Sequence, residues 1–261
     1  MINKVVYSYW SKPANDKNVG FNSEQAFSNC AKLSVLKSKK WANKVELVTD
    51  KKGKKLLIDK LKLPFDEVVV CLDNLNHIDK KHWAIGKLHA CSLQKEPFMH
   101  LDFDAIWFKK PPNKILQADA CFQNWEKDTN VHKYYRKLIN ICKNTPELKM
   151  HKFSKFDKIN ALCCGFMGFN KLDKIKLWYD LALDYIYKAG DKTNKSLIPS
   201  IMFEQYYISN LLSYFKINIE TLGNDWVEEN LAKKVGYTHL IAESKRNKDI
   251  EQKILNKVKN L

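Results

Sequence analysis

An α/β fold with an open, mostly parallel (mixed) sheet flanked by helices is the class this sequence predicts, and two observations predict it. Through about the first hundred residues, short apolar runs alternate with longer segments of helical period, in the order β-α-β-α-β-α-β. The last of those runs, Phe98 to Leu101, ends on two carboxylates, Asp102 and Asp104, separated by Phe103. A carboxylate deep in a sheet costs several kcal/mol or more to desolvate, so the pair belongs at the strand's open end, where open α/β sheets gather ligands.

The elements follow in order. Val5 to Trp10 is the first strand, broken by Ser11-Lys12-Pro13, and a polar loop runs to Asn22. Ser23 to Lys40 is helical, with Phe27, Cys30, Ala31 and Ser34 on one face. Val45 to Val48 is the second strand. Asp50 caps a Lys-rich helix carrying Leu56, Leu57 and Leu61, which Pro64 ends. Val68-Val69-Val70 is a β-branched run of the kind a parallel sheet buries on both faces. Ile85 to Leu93 is a helix, and the carboxylate-bearing strand comes next, followed at once by a second apolar run, Ala105 to Phe108.

The second half is less regular. Ala118 to Gln123 is a strand, Val131 to Lys143 an amphipathic helix stopped by Pro146, and 146–158 a polar, Lys-rich loop. The segment Leu162 to Asn170 is apolar with two glycines, which in a strand mark close approach by backbone or ligand. Helices at Leu172 to Tyr187 and Ile201 to Tyr214, strands near Ile217 to Thr221 and Tyr237 to Ile241, and a charged helix from Asp249 to Asn260 complete the chain. The expectation is one domain spanning 1–261, with a nucleotide-binding half (1–110) and an acceptor or sugar half (111–261). No Gly-x-Gly-x-x-Gly follows the first strand and no phosphate-binding lysine loop occurs, which argues against a dinucleotide fold and a P-loop.

Composition narrows the function classes. The formal charge of +16 invites a nucleic-acid partner, yet the only arginines are Arg136 and Arg246, and lysine is scattered along the whole chain. Nucleic-acid surfaces favour arginine for bidentate contacts, so no specific nucleic acid is expected. What the charge can serve is peripheral contact with an anionic membrane or a polyanionic acceptor. The seven cysteines show no C-x-x-C spacing and fit buried free thiols in a reducing cytosol. Residues 1–10 contain no long apolar core after a basic start, so no signal peptide is expected, and no stretch reaches the roughly 18 apolar residues of a membrane span. A cytoplasmic protein, at most peripheral on the inner face of a membrane, is expected.

Several residues can join Asp102 and Asp104. The pair suits a hard divalent cation, which wants oxygen ligands; two solvated acids in a strand-end turn are the plain alternative. His239 lies in a short apolar segment and can supply a third ligand, though a lone histidine there also fits an ordinary core or loop position. Lys245 and Arg246 follow it and can neutralise a diphosphate. Glu204 and Gln205 open a helix, where a capping role is the simpler reading for Glu204. Lys87, on the helix before the carboxylate strand, can reach a donor's sugar or phosphates, or be one more solvated lysine. Cys164 to Gly168 can set backbone groups against a sugar, or be simply a buried strand.

Together these pieces resemble the A-type (GT-A) glycosyltransferase fold with a DxD metal motif, most like the glycogenin-like and bacterial lipopolysaccharide galactosyltransferase group. Val5 to Trp10 sits where that family's nucleotide-contacting strand would be, and Val45 to Asp50 resembles its second strand. His100-Leu101-Asp102-Phe103-Asp104 resembles its metal motif, Cys164 to Asn170 its Asn-x-Gly-x-x-x-x-Asn strand, and Glu204 to Asn210 its Asp-Gln-Asp-x-Leu-Asn helix. His239 followed by Lys245 resembles its late His and Lys loop, without the glycine between them. Cys163-Cys164 replaces the small polar pair before the glycine.

The resemblance implies a metal-dependent glycosyltransferase (hexosyltransferase) that moves a sugar from a nucleotide-sugar donor, a UDP-sugar, to a saccharide or lipid-linked acceptor hydroxyl. It implies Mn²⁺ or Mg²⁺ on Asp102, Asp104 and His239. Donor contacts would come from Tyr7, Tyr9, Trp10, Lys87, Asp102, Gly165, Lys245 and Arg246. Glu204 and Gln205 would face the cationic sugar carbon. Retention of configuration is implied, by a covalent intermediate or by same-face attack, and bacterial surface polysaccharide synthesis is the setting it suggests. Two rival classes stay open: a nucleotidyltransferase acting on a sugar phosphate, which usually carries a Gly-rich basic loop that Ser11 to Gly20 matches poorly, and a non-enzymatic basic module for nucleic acid or anionic lipid.

Overall fold

The computed structural model describes all residues except 15–17, 127–128, 157–159, 190–199 and 224–233. Part of the polar loop expected before Asn22 and the end of the 146–158 loop therefore lie outside the described residues.

A seven-stranded sheet runs through the molecule in the order β3-β2-β1-β4-β7-β6-β8. Its strands are β1 (Lys4–Tyr9), β2 (Lys44–Thr49), β3 (Glu67–Val70), β4 (Phe98–Leu101), β6 (Ala120–Asn124), β7 (Phe166–Phe169) and β8 (Ile219–Gly223). All neighbours pair in parallel except around β7, which runs against both β4 and β6. The chain lays β2 and β3 to one side of β1 and then returns to lay β4 on the other. The crevice between β1 and β4 is thus the topological switch point, where the carboxyl ends of an open sheet leave room for a ligand. A second, two-stranded sheet pairs β5 (Ala105–Trp107) with β9 (Tyr237–His239) in antiparallel register.

Strand alternation sends side chains to two cores. Val6, Trp10, Phe98, Phe122 and Phe169 pack under helices α4 (Ile85–Ser92), α6 (Thr129–Lys143), α7 (Ile175–Ala189) and α8 (Tyr207–Tyr214). Val5, Tyr7, Leu47, Met99 and Phe166 pack on the other face against α2 (Glu24–Ser38) and the β5–β9 pair, with the C-terminal helix Lys248–Lys259 outermost. Ser23 caps α2 by accepting from Ala26 N at 3.0 Å. Asp50 caps the turn after β2 by accepting from Gly53 N, and its second oxygen takes the backbone N–H and hydroxyl of Ser11. It thereby ties the exit of β1 to that of β2.

Two expectations need correction. The Val68–Val70 strand is not covered on both faces: β3 is the sheet's edge, and Val70 is 38% exposed. The expected loop 146–158 contains a short 3₁₀ turn, Lys149–Lys152, with Leu148 and Met150 buried. All seven cysteines are free and six are buried, as the apolar runs around them predict. Among the described residues no helix is long and apolar enough to cross a membrane.

Candidate active site

The Asp102–Asp104 turn is built by what lies on either side of it. Its backbone closes with Ala105 N–H donating to Asp102 O at 3.0 Å, and Asp102 N–H donates to Gly165 O at 3.0 Å. Phe103, between the carboxylates, is its anchor. The ring packs against Tyr7, Tyr9, Phe27 and Phe65 with centroids 4.9–6.4 Å apart. The Ser34 hydroxyl and the Cys30 thiol of α2 donate to the Ala105 and Phe103 carbonyls. An aromatic drawn into one core leaves its two neighbours pointing the other way, into the crevice.

The β5–β9 pairing supplies the third group. Its register sets His239 opposite Ala105, and Leu240 N–H donates to Asp104 O at 2.9 Å. Candidate ligand atoms of Asp102, Asp104 and His239 consequently all lie within 4.8 Å of one another, with His239 Nε2 3.4 Å from Asp104 Oδ1. The other ring nitrogen, Nδ1, sits 2.8 Å from Gln123 Oε1, which also accepts from the Tyr237 hydroxyl at 2.8 Å. In a neutral imidazole with its proton on Nδ1, Nε2 faces Asp104 as a bare lone pair, the state a metal-binding histidine requires. Asp104 Oδ1 is itself buried and has no hydrogen-bond partner. Two carboxylates and an imidazole with an unsatisfied buried oxygen between them fit a Mn²⁺- or Mg²⁺-type cation.

Lysines flank the cluster. Lys87, only 7% exposed, places Nζ 2.7 and 2.8 Å from the two Asp102 oxygens, 2.5 Å from Glu204 Oε1 and 3.2 Å from Cys164 O. Burial opposes its charge, but Asp102 and Glu204 outweigh that and hold the ammonium well above its ordinary pKa. Burial pushes the Asp102 and Glu204 carboxyls up, and Lys87 pulls them back only in part. Lys245 pairs with Asp104 Oδ2. At Asp104 burial is outweighed: the Lys245 ammonium holds the carboxyl well below the usual range.

The expected residues thus separate. Asp102, Asp104, His239, Lys87 and Lys245 converge, and Gly165 stands directly behind His239. A Cβ on Gly165 would fall 2.3 Å from Nδ1 of that ring. The others are placed differently. Tyr7 is fully buried, its hydroxyl shared between Ser34 and Ser38 at 2.8 Å, and Tyr9 lies in the same aromatic cluster; both pack against Phe103. Trp10 is buried on the opposite face beside Gly86, its indole N–H 3.4 Å from Asn76 Oδ1. Arg246 is solvent-facing and pairs with Glu243. Glu204 lies in a π-helical turn, Met202–Tyr206, and is 1% exposed against Lys87, so it does not face an open cleft as expected. Gln205 is half-buried and accepts from the Tyr135 hydroxyl.

Two residues that sequence reasoning missed also belong here. Gln123 orients His239 from β6. His100, fully buried and held neutral by burial and by Lys87, bonds Ser8 Oγ at 2.9 Å with Nδ1 3.8 Å from Asp102. Gln123→Leu removes the acceptor at Nδ1 while keeping volume. Mn²⁺ affinity should fall roughly 10–100-fold, the usual effect of losing a ligand's outer hydrogen bond, and stability by about 1–3 kcal/mol, because the buried Tyr237 hydroxyl loses its acceptor as well. Unaltered Mn²⁺ binding would take Gln123 out of the site.

Comparisons with known proteins add the following. A family model described as "Family of unknown function (DUF6734)" matches residues 3–260. None of the curated proteins matches in sequence. Among solved structures, mouse xyloside xylosyltransferase 1 in its apo form aligns with 7% identity and a TM-score of 0.43 over 85% of each chain. The inositol-1-phosphate CTP transferase of T. maritima aligns with 10% identity and 0.44, over 99% of this chain and 96% of its own. The galactosyltransferase LgtC, in complex with donor and acceptor sugar analogs, aligns with 8% identity and 0.46, over 99% and 96%. At such scores none of these likenesses carries a function across.

Proposed function

Since the chain belongs to the DUF6734 family, whose description assigns no function, we propose its activity from its own site: metal-dependent transfer of a sugar from a nucleotide-sugar donor to an acceptor hydroxyl. The observation that carries this reading is the Asp102–Asp104–His239 cluster at the carboxyl end of β4, beside the switch point and flanked by Lys87 and Lys245. A basic module for nucleic acid or lipid has no use for a buried ligand set of this kind.

In this reading Asp102, Asp104 and His239 hold Mn²⁺ or Mg²⁺, which when bound offsets the charge that develops on the departing nucleoside diphosphate. Lys245, 18% exposed at its side chain, adds positive charge at the same place. Lys87 keeps Asp102 in position, and Glu204 keeps Lys87 there. Gln205, which retains some surface, is the member of the 204–205 pair assigned to the sugar carbon. Gly165 gives the backbone surface behind the ligand histidine. A UDP-sugar donor, a hexosyl group, a saccharide or lipid-linked acceptor and retention of configuration complete the proposal. So does a role at the inner face of a membrane, in bacterial surface polysaccharide synthesis.

The test is a panel of nucleotide sugars incubated with Mn²⁺ and scored for the released product. Glycosyl transfer or donor hydrolysis liberates a nucleoside diphosphate. A nucleotidyltransferase run in either direction exchanges pyrophosphate instead, and that result would replace the reading. Asp104→Asn should abolish metal-dependent nucleotide-diphosphate binding in calorimetry while the protein stays folded; full binding in that variant would break the metal assignment.

A further inference from the structure

Both carboxylates of the candidate metal site already carry a counter-ion from the chain itself. Asp102 receives Lys87 on both oxygens, and Asp104 receives Lys245 on Oδ2. The two lysines are held differently. Lys87 is enclosed, with Glu204 and the Cys164 carbonyl as further acceptors, and cannot leave without stranding buried acids. Lys245 belongs to the short 3₁₀ turn Ala242–Arg246 and has an alternative to its carboxylate. Its ammonium lies 3.3 Å from the Val19 carbonyl and 5.6 Å from the Phe21 ring centroid. Its stem runs past Gly20, whose φ of +90° and missing side chain leave it a track: a Cβ there would sit 3.3 Å from Lys245 Cδ.

We infer that Lys245 is an exchangeable counter-ion. It occupies Asp104 when the site is empty and transfers to the diphosphate of the incoming nucleotide, so that the divalent cation binds together with the nucleotide and only weakly before it. The inference rests on the reading of this site as one for metal and nucleotide. The physical reason is charge. A dication approaching the empty site meets carboxylates that are already neutralised, and at Asp104 it can reach the unpartnered Oδ1 only beside the ammonium on Oδ2, which repels it. A diphosphate gives the displaced ammonium a new partner. Each of the two ligands then removes the obstacle to the other, which is positive coupling between their binding free energies. A lysine that served the diphosphate alone would leave the affinity for metal by itself unchanged when removed.

The experiment counts free Mn²⁺ by its EPR signal over protein alone and over protein with UDP, GDP, CDP or ADP, for the wild type, Lys245→Met and Lys245→Arg. Expected for the wild type is weak binding of Mn²⁺ alone and at least about ten-fold tighter binding with one of the diphosphates, within the usual range of coupling. Lys245→Met should bind Mn²⁺ alone about ten-fold more tightly than the wild type and lose most of the coupling, while Lys245→Arg, which keeps the charge, should resemble the wild type. Equal or weaker binding of Mn²⁺ alone by Lys245→Met, with nucleotide-supported binding intact in the wild type, overturns the exchange and leaves the functional reading standing. Failure of all three proteins to bind Mn²⁺ with or without any diphosphate overturns both.

Discussion

Gly165→Ala should abolish metal binding while leaving the sheet folded. The position does not need glycine for its backbone, whose φ lies outside the left-handed region, so the effect is purely one of space. A Cβ there would meet His239 Nδ1 at 2.3 Å, His239 Cε1 at 2.4 Å and Gln123 Oε1 at 2.6 Å. Neither neighbour is a free end that swings away, because Gln123 is buried and bonded to Tyr237 and His239 is fixed by the β5–β9 register. The imidazole has to move, and the Nε2 lone pair moves with it. We expect Mn²⁺ affinity to fall by roughly a hundred-fold or more, at or beyond the upper end of outer-shell losses, and stability by about 1–3 kcal/mol for overpacking. Gly168→Ala is the control. A Cβ at that position, three residues further on and within β7, meets Cys121 Sγ at 2.6 Å and Ile2 Cδ1 at 2.7 Å, so it should destabilise comparably and leave Mn²⁺ binding alone. Equal Mn²⁺ affinity in the two variants would mean that His239 is not held from behind by this glycine.

What could be seen in the sequence was local. Asp102 and Asp104 were legible because the strand that carries them is contiguous, apolar and stops at them. His239 was legible only as a lone histidine in an apolar segment, fit for a third ligand or for a core position; its partner, Ala105, is far away in the chain, and nothing near 239 announces the β5–β9 pairing. Gln123 left no signal at all. It sits in an apolar strand where a polar residue is expected to face out, and its reason for facing in is a ring 116 residues later. The burial of Tyr7 was hidden for a related cause. Alternation along β1 assigns Tyr7 and Tyr9 to one face and Ser8 and Trp10 to the other, but which face the crevice opens on depends on where α2 lies. The edge position of β3 is equally invisible locally, since three consecutive valines look the same at a sheet's margin and at its centre. Glu204 was found as a polar residue in an amphipathic helix, yet what fixes its role is Lys87 on a different helix, and the π-helical turn that aims it inward has no marker in the residues around it.

Lys87→Met should be the most destabilising substitution in the site, and its effect should grow with pH. The ammonium is the one cation among the described residues that contacts both Asp102 and Glu204, and removing it strands two acids, the second of them only 1% exposed. Breaking a buried pair in this way costs about 3–5 kcal/mol, or roughly 10 °C in melting temperature for a chain of this size. Burial already pushes both carboxyls above their ordinary range, with Lys87 as the main force pulling them down. In the variant burial and the neighbouring Asp102 charge are left to raise Glu204, so both acids fold preferentially in the protonated form. A group whose folded pKa is raised contributes stability that is present below its unfolded pKa and lost as pH rises through the folded value. The variant should therefore lie closest to the wild type near pH 5 and furthest from it near pH 8, as urea melts across that interval would register. Adding Glu204→Gln removes one stranded charge and should recover part of the loss at pH 8 and little at pH 5. Should Lys87→Met instead melt within about 1 kcal/mol of the wild type at every pH, the surface-like value for an ion pair, Lys87 would not be holding Asp102 for the metal, and the positioning role given to Glu204 would go with it.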